Sequence, residues 1–259
     1  MQYTKKQERE IKLGKESGID VSLYSDSSLS PIEMKLRRLY LEYGIELPNT
    51  KKMNTQCLNL IENILKKDMD VNVEKYFGNL KYNSNQLEQI LLGLEEGLDV
   101  SIYADPRFKN VQMETIRLRL KEGLDVSIYA DPTFDNDQME QILLGLEDNL
   151  NVKIYANLQY KWLQMKQIRL GLQEKLDVSI YADPKFNGFQ MAQIRWGLEK
   201  GLDVSIYAKH EYDFAQMKEI RFGLEEGLDV SLYSSPELDW EEMHKIRLSE
   251  TMKQKKSKA

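Results

Sequence analysis

The segment GLDVSIYADP at residues 97–106 returns letter for letter at 123–132, and LDVSIYADP returns again at 176–184. A unit this short cannot bury its own apolar face, so a chain that repeats it must bury each copy against the next. Aligned on the Asp of LDVS, the copies fall at Asp99, Asp125, Asn151, Asp177, Asp203 and Asp229, 26 residues apart each time. Towards the N-terminus Asp70, Glu46 and Asp20 hold the same place at spacings of 29, 24 and 26. A last half copy, WEEMHKIRLSETM, starts at Trp240, which makes ten copies in all.

The unit reads xQMxQIRLGLEEGLDVSIYADPxFxx, with places counted from the residue before Gln-Met. Met at place 3, Ile at 6, Leu at 10 and Leu at 14 step by three, four and four, as in Met113, Ile116, Leu120 and Leu124. That is an amphipathic helix stripe. Gly at place 13 (Gly97, Gly123, Gly201, Gly227) stands where a helix ends in a left-handed residue. Asp at place 15 then suits the N-cap of a second, shorter helix, VSIYA. Pro at place 22 ends that helix by holding the preceding residue extended, and an aromatic at place 24 anchors the connector. The alternation of Val and Ile at places 16–19 also allows an extended segment there. Gly and Pro in every unit exclude a continuous coiled coil.

The expectation is an all-α chain: an α-solenoid of about ten repeats, long helix plus short helix, forming a curved rod. Residues 1–84 hold divergent copies, with irregular connectors PNTKKMN and FGNLKYNSN, and are expected to act as a cap or a distinct lobe. Residues 85–252 are the regular array, and 253–259 a basic disordered tail. Two places carry further expectations. Place 8 (Leu92, Leu118, Leu144, Leu170, Trp196, Phe222, Leu248) lies opposite the main stripe, which suggests a helix sandwiched between two neighbours. Gly at place 9 (Gly93, Gly145, Gly171, Gly197, Gly223) costs about 1 kcal/mol of helix propensity against Ala, so its return implies a close approach of another group.

The unit resembles short helical repeats that recur in proteins of phages and conjugative elements of anaerobic gut bacteria, often attached to larger multi-domain proteins. The resemblance covers residues 85–248 well and 7–26 fairly. It implies a mobile-element setting and a role in handling host defence or host machinery. It brings with it no catalytic residue and no ligand.

The distribution of charge narrows the partners. The chain carries a net charge of −6, made of +2 over residues 1–84, −11 over 85–249 and +3 over the last ten residues. An acidic body repels a phosphate backbone, which disfavours nucleic acid. No apolar run is long enough for a membrane span, and the N-terminus has no apolar segment of the secretory kind. With one cysteine, Cys57, no intrachain disulfide forms, and the expected location is the cytoplasm.

Signals of chemistry are few. His210 and His244 share no metal-ligand spacing with each other or with Cys57, and no glycine-rich phosphate loop occurs. The carboxylates recur in many equal environments, whereas a catalytic pair needs one unique environment. No catalytic, metal or cofactor residue is therefore expected; an enzyme site in residues 27–84 is the least favoured reading. Place 7 holds Lys12, Arg38, Glu62, Leu91, Arg117, Leu143, Arg169, Arg195, Arg221 and Arg247. This broken arginine series is expected to lock the repeat junctions, with the place-15 Asp as one partner, or else to face a binding partner or track phosphates. Departures from the repeat mark the other candidates: Tyr160 and Trp162 in ANLQYKW, and Trp196 and Phe222 at place 8. Arg and large aromatics are typical interface anchors, so Tyr160, Trp162, Arg169, Arg195, Trp196, Arg221 and Phe222 form the candidate partner-binding set. The function expected is binding of another protein without catalysis, as an inhibitor or adaptor. Nucleic-acid binding through the arginine series is the alternative.

Overall fold

A computed structural model describes residues 2–44, 55–66 and 82–258; much of the divergent region, and most of both its connectors, lies outside these. Ten α-helices and no strand occur among the described residues. The first compact unit, Met1–Pro132, holds α1 (Lys5–Glu16), α2 (Pro31–Glu42), α3 (Thr55–Lys66), α4 (Ser84–Glu95) and α5 (Asn110–Lys121). The second, Thr133–Ala259, holds α6 (Asn136–Glu147), α7 (Trp162–Gln173), α8 (Gly188–Glu199), α9 (Phe214–Glu225) and α10 (Trp240–Lys258). Within each unit every helix packs on the next in chain order. The first unit thus holds the described divergent N-terminal helices together with α4 and α5. Nine helices are 12 residues long, about 18 Å. The tenth runs 19 residues to Lys258, so the basic segment after 252 is helical rather than disordered.

The boundaries follow from local chemistry. At the N-termini an Asn, Asp, Ser or Thr at place 25 caps the helix, and the residue at place 2 reaches back to the cap's own N–H in a capping box. At the C-termini place 13 adopts φ between 66° and 76° in Gly18, Gly44, Gly97, Gly123, Gly201 and Gly227. The next N–H then closes on the carbonyl of place 9, as Leu98 does on Gly93 at 2.9 Å, a Schellman end. Asn149 and Lys175 hold the same left-handed geometry without being glycine.

The second helix of the unit is a single 3-10 turn of three residues, for example Val178–Ile180, rather than a five-residue helix. Asp177 caps it by accepting from the Ser179 N–H at 3.1 Å and from its hydroxyl at 2.5 Å. In the sixth copy, where Asn151 replaces the Asp and Lys153 replaces the Ser, no side-chain cap bond forms.

The core of each unit is built from places 3, 6, 16, 19 and 24: Met165, Ile168, Val178, Tyr181 and Phe186 are one such set, all buried. The close approach at place 9 comes from the tyrosine at place 19. A Cβ on Gly171 would lie 1.9 Å from the Tyr181 Oη, and Gly93, Gly145, Gly197 and Gly223 stand in the same relation to their tyrosines. The hydroxyl lies there because it donates to the carbonyl of place 5, Tyr181 to Gln167 at 3.1 Å. Tyr129, whose copy has Arg119 in place of the glycine, and Tyr233, whose copy keeps Gly223, have no partner for their hydroxyls. Place 8 is not sandwiched. Leu118, Trp196 and Leu248 are exposed and the others half-buried, since the second buried edge of the helix is formed by places 2, 5 and 7.

Candidate functional site

The arginines of place 7 are buried: Arg117, Arg169, Arg195, Arg221 and Arg247 are 6–8% exposed. A guanidinium in such surroundings needs its donors satisfied, and the neighbour one repeat back does this. Each Nε donates to the place-5 side chain of the preceding copy: Arg117 to Gln89 at 3.0 Å, Arg169 to Gln141 and Arg195 to Gln167 at 3.1 Å, Arg221 to Gln193 at 3.0 Å. Where place 5 is Glu the same bond becomes an ion pair, Arg38 to Glu10 at 3.0 Å and Arg247 to Glu219 at 2.9 Å.

The second arm of the guanidinium takes the place-12 carboxylate of the preceding copy. Arg117 meets Glu96 at 2.7 Å, Arg195 meets Glu174 at 2.8 Å and Arg247 meets Glu226 at 2.6 Å, with Asp148 at 3.8 Å from Arg169. Arg38 and Arg221 have Ser17 and Lys200 at that place and turn instead to Glu42 and Glu225 four residues on in their own helix. Glu96 lies below its ordinary pKa, with burial opposing and the hydrogen bonds from Lys121 and Arg117 outweighing it.

The arginine series is thus a set of junction locks, and the place-15 Asp is not its partner. The sequence rule that holds is different. Place 7 is Arg wherever the preceding copy has Gln or Glu at place 5; it is Leu91 after Leu60, Leu143 after Thr115 and Glu62 after Leu36. Glu62 is met instead by Lys35 and Lys66.

The candidate set therefore divides. Arg169, Arg195 and Arg221 lie inside the junctions and not on a face. Tyr160 is also buried, because its hydroxyl donates 2.7 Å to the carbonyl of Ala182 in the next copy. Tyr3, Tyr82 and Tyr212 make the same bond from the same place. Trp162 and Trp196 are exposed and Phe222 is half-buried. Trp196 and Phe222 rest on the arginine planes beneath them: the Trp196 ring lies 5.7 Å from Arg195 and 5.4 Å from Arg221, and Phe222 lies 4.5 Å from Arg221 and 5.4 Å from Arg247.

The glutamines escaped the sequence reading. At place 2, Gln164 donates to the carbonyls of Phe186 at 2.6 Å and Pro184 at 3.0 Å. Its Oε1 accepts from the Lys161 N–H at 2.6 Å. One buried amide thus satisfies a helix start and a turn together. Gln7, Gln86 and Gln216 do the same.

The histidines lie apart. His210 stacks on Phe186 at 4.0 Å between ring centres and faces Asp183 at 3.1 Å. His244 meets Glu219 at 3.0 Å, beside Arg247. Cys57 is buried and its thiol donates to the Ser84 carbonyl at 2.9 Å. Among the described residues no group of three His, Cys, Asp or Glu side chains is placed to hold a metal ion. No helix among them is long and apolar enough to cross a membrane. Comparison with protein-family models, with curated proteins and with solved structures finds no match to this chain.

Proposed function

We propose that the chain is an α-solenoid of about ten 26-residue repeats that binds another protein and catalyses no reaction. In this reading it is a mobile-element inhibitor or adaptor acting in the cytoplasm on a host protein, a defence protein among the candidates. One observation carries the proposal. The polar side chains that recur from copy to copy are mostly consumed within the fold: Gln at place 2 by turn carbonyls, Arg at place 7 by the preceding copy, Tyr at place 19 by a helix carbonyl in all but Tyr129 and Tyr233 of the described copies, Asp at place 15 by its 3-10 turn. Beside the recurring place-18 residues Leu23, Ile154, Ile180 and Leu232, the surface keeps residues that differ between copies, and in α7–α10 these include large aromatics. A set of unique exposed aromatics on a repeated scaffold suits recognition of one protein. The nucleic-acid reading needs arginines free to meet phosphates, and these are engaged.

The test is affinity purification of the full chain from a native host lysate, with and without nuclease. Capture of one protein in near-stoichiometric amount that survives nuclease supports the proposal. Capture that disappears with nuclease, or is of nucleic acid alone, refutes it.

A further inference from the structure

In the second unit, places 26, 4 and 8 stand four residues apart and share one side of each helix. In α6 that side is polar and acidic, with Asn136 and Glu140 ahead of Leu144. From α7 onward it changes character. Each of the four remaining helices carries an exposed aromatic within its first two residues: Trp162, Phe214 and Trp240 at place 26, and Phe189 at place 1 of α8, whose places 26 and 4 are the buried Gly188 and Ala192; the four are between 40% and 59% exposed. The Phe189 and Phe214 rings lie 5.5 Å apart, so the series is continuous there. Trp196 and Phe222 continue the apolar surface along α8 and α9, and the place-4 glutamates of α4–α6 give way to Lys166 in α7 and Lys218 in α9.

At the start of α7 and α8 this surface opens into a groove of about 560 Å³, floored by Trp162, Leu163, Pro184 and Phe189. Gly188 lets the two helices close on that floor, because a Cβ there would lie 2.4 Å from the Leu163 side chain. Lys161 and Lys185 stand at the rim. Among the described residues the ammonium groups of Lys161, Lys166, Lys185 and Lys218 enter no ion pair; Lys218 lies over the Phe222 ring at 5.5 Å. Lys121 pairs with Glu96 and Lys200 with Glu225, whereas among the described residues Lys153, Lys175 and Lys209 are as unpaired as these four; what sets the four apart is their place beside the exposed aromatics.

We infer that this aromatic, lysine-edged face of α7–α10 is the docking surface, and that its occupant is an acidic segment of another protein carrying large apolar side chains flanked by Asp or Glu. The inference rests on the protein-binding reading above and narrows it. The apolar floor takes the side chain; the unpaired lysines take the carboxylates, which selects against basic segments. The surface does not suit a nucleic-acid strand, because the arginines that would meet its phosphates are engaged in the junctions.

All three tryptophans of the protein, Trp162, Trp196 and Trp240, lie on this face, so intrinsic fluorescence reads it directly. The full chain is titrated with a short synthetic peptide in which Phe and Leu alternate with Glu, with the Lys-for-Glu counterpart, and with oligothymidylate. The expected result is a saturable blue shift with the acidic peptide alone. That binding weakens about tenfold in Lys166→Glu/Lys218→Glu and also as salt rises, with the melting temperature of the variant unchanged. Equal binding of the basic peptide, tighter binding of oligothymidylate, or a sedimentation coefficient showing a second copy already covering the tryptophans would overturn the assignment. Native capture separates the two levels. A nuclease-resistant partner held equally by wild type and variant leaves the protein-binding reading standing and removes this face; no protein partner at all removes both.

Discussion

Arg195→Leu removes one junction lock and leaves the rest of the array as it is. Arg195 is 6% exposed, and its Nε donates to the Gln167 amide oxygen at 3.1 Å. Leucine fills the space of the arginine stem, so the packing loss is small. The Gln167 oxygen is left buried without a donor, at roughly 1–3 kcal/mol. The pair with Glu174 adds less, up to about 1 kcal/mol, because that carboxylate is 34% exposed and screened. The sum, roughly 1–4 kcal/mol, corresponds to a fall of roughly 2–16 °C in melting temperature for a chain of this length. The protein itself shows the compensation: Leu91 follows Leu60, apolar on apolar. Gln167→Leu added to Arg195→Leu should therefore recover part of the loss, since the orphaned oxygen is gone. Circular dichroism melts of the two single variants and the double variant measure this. An unchanged melting temperature in Arg195→Leu, or a double variant less stable than the sum of the singles, refutes the lock.

Gly171→Ala should destabilise, although alanine is the better helix former by about 1 kcal/mol, because its Cβ would lie 1.9 Å from the Tyr181 hydroxyl; Tyr181→Phe in the same chain should relieve part of the cost, and a raised melting temperature in Gly171→Ala alone would count against the packing described. Lys175→Gly should stabilise by about 0.5–1 kcal/mol, because Lys175 holds φ 59°; a lower melting temperature would contradict that. Burial raises the phenols of Tyr155, Tyr181 and Tyr207 above their usual 10.0, and raises Tyr233 to about 12. The unfolded chain then loses protons first as pH passes 10, so the stabilisation is whole below that pH and declines above it. Phenolate absorbance should therefore rise together with loss of helix signal; stepwise ionisation in a chain that stays folded would refute the burial.

The parts of this fold legible in the sequence are those where one residue type has one physical use. Gly97 at a left-handed helix end and Asp99 before a 3-10 turn are of this kind. The stripe of Met113 and Ile116 is equally direct. Two misreadings share a cause. Gln164 and Gln167 stand in the quoted repeat, but polar residues on a helix ordinarily face water; they are buried here because carbonyls of a turn and a neighbouring arginine meet them. The sequence offers the place-15 Asp as the arginine's partner, while the observed partner lies 28 residues back, as Gln167 does from Arg195. Only pairing places 5 and 7 across copies reveals it, with Thr115 before Leu143 as the exception that fits. Place 8 failed for the same reason: with three polar places taking the second buried edge, Leu118 and Trp196 are left at the rim. The exposed aromatics were half legible, Trp162 and Trp196 standing out as departures while Tyr160 was consumed by a carbonyl.

The most direct measurement is native capture with three forms of the full chain: wild type, Lys166→Glu/Lys218→Glu and Arg195→Leu, each with its melting curve. The account predicts a nuclease-resistant protein on wild type, its loss from the lysine variant at unchanged melting temperature, and its retention by Arg195→Leu in proportion to the fraction folded. Loss of the partner from Arg195→Leu at unchanged melting temperature, with full retention by the lysine variant, would contradict it.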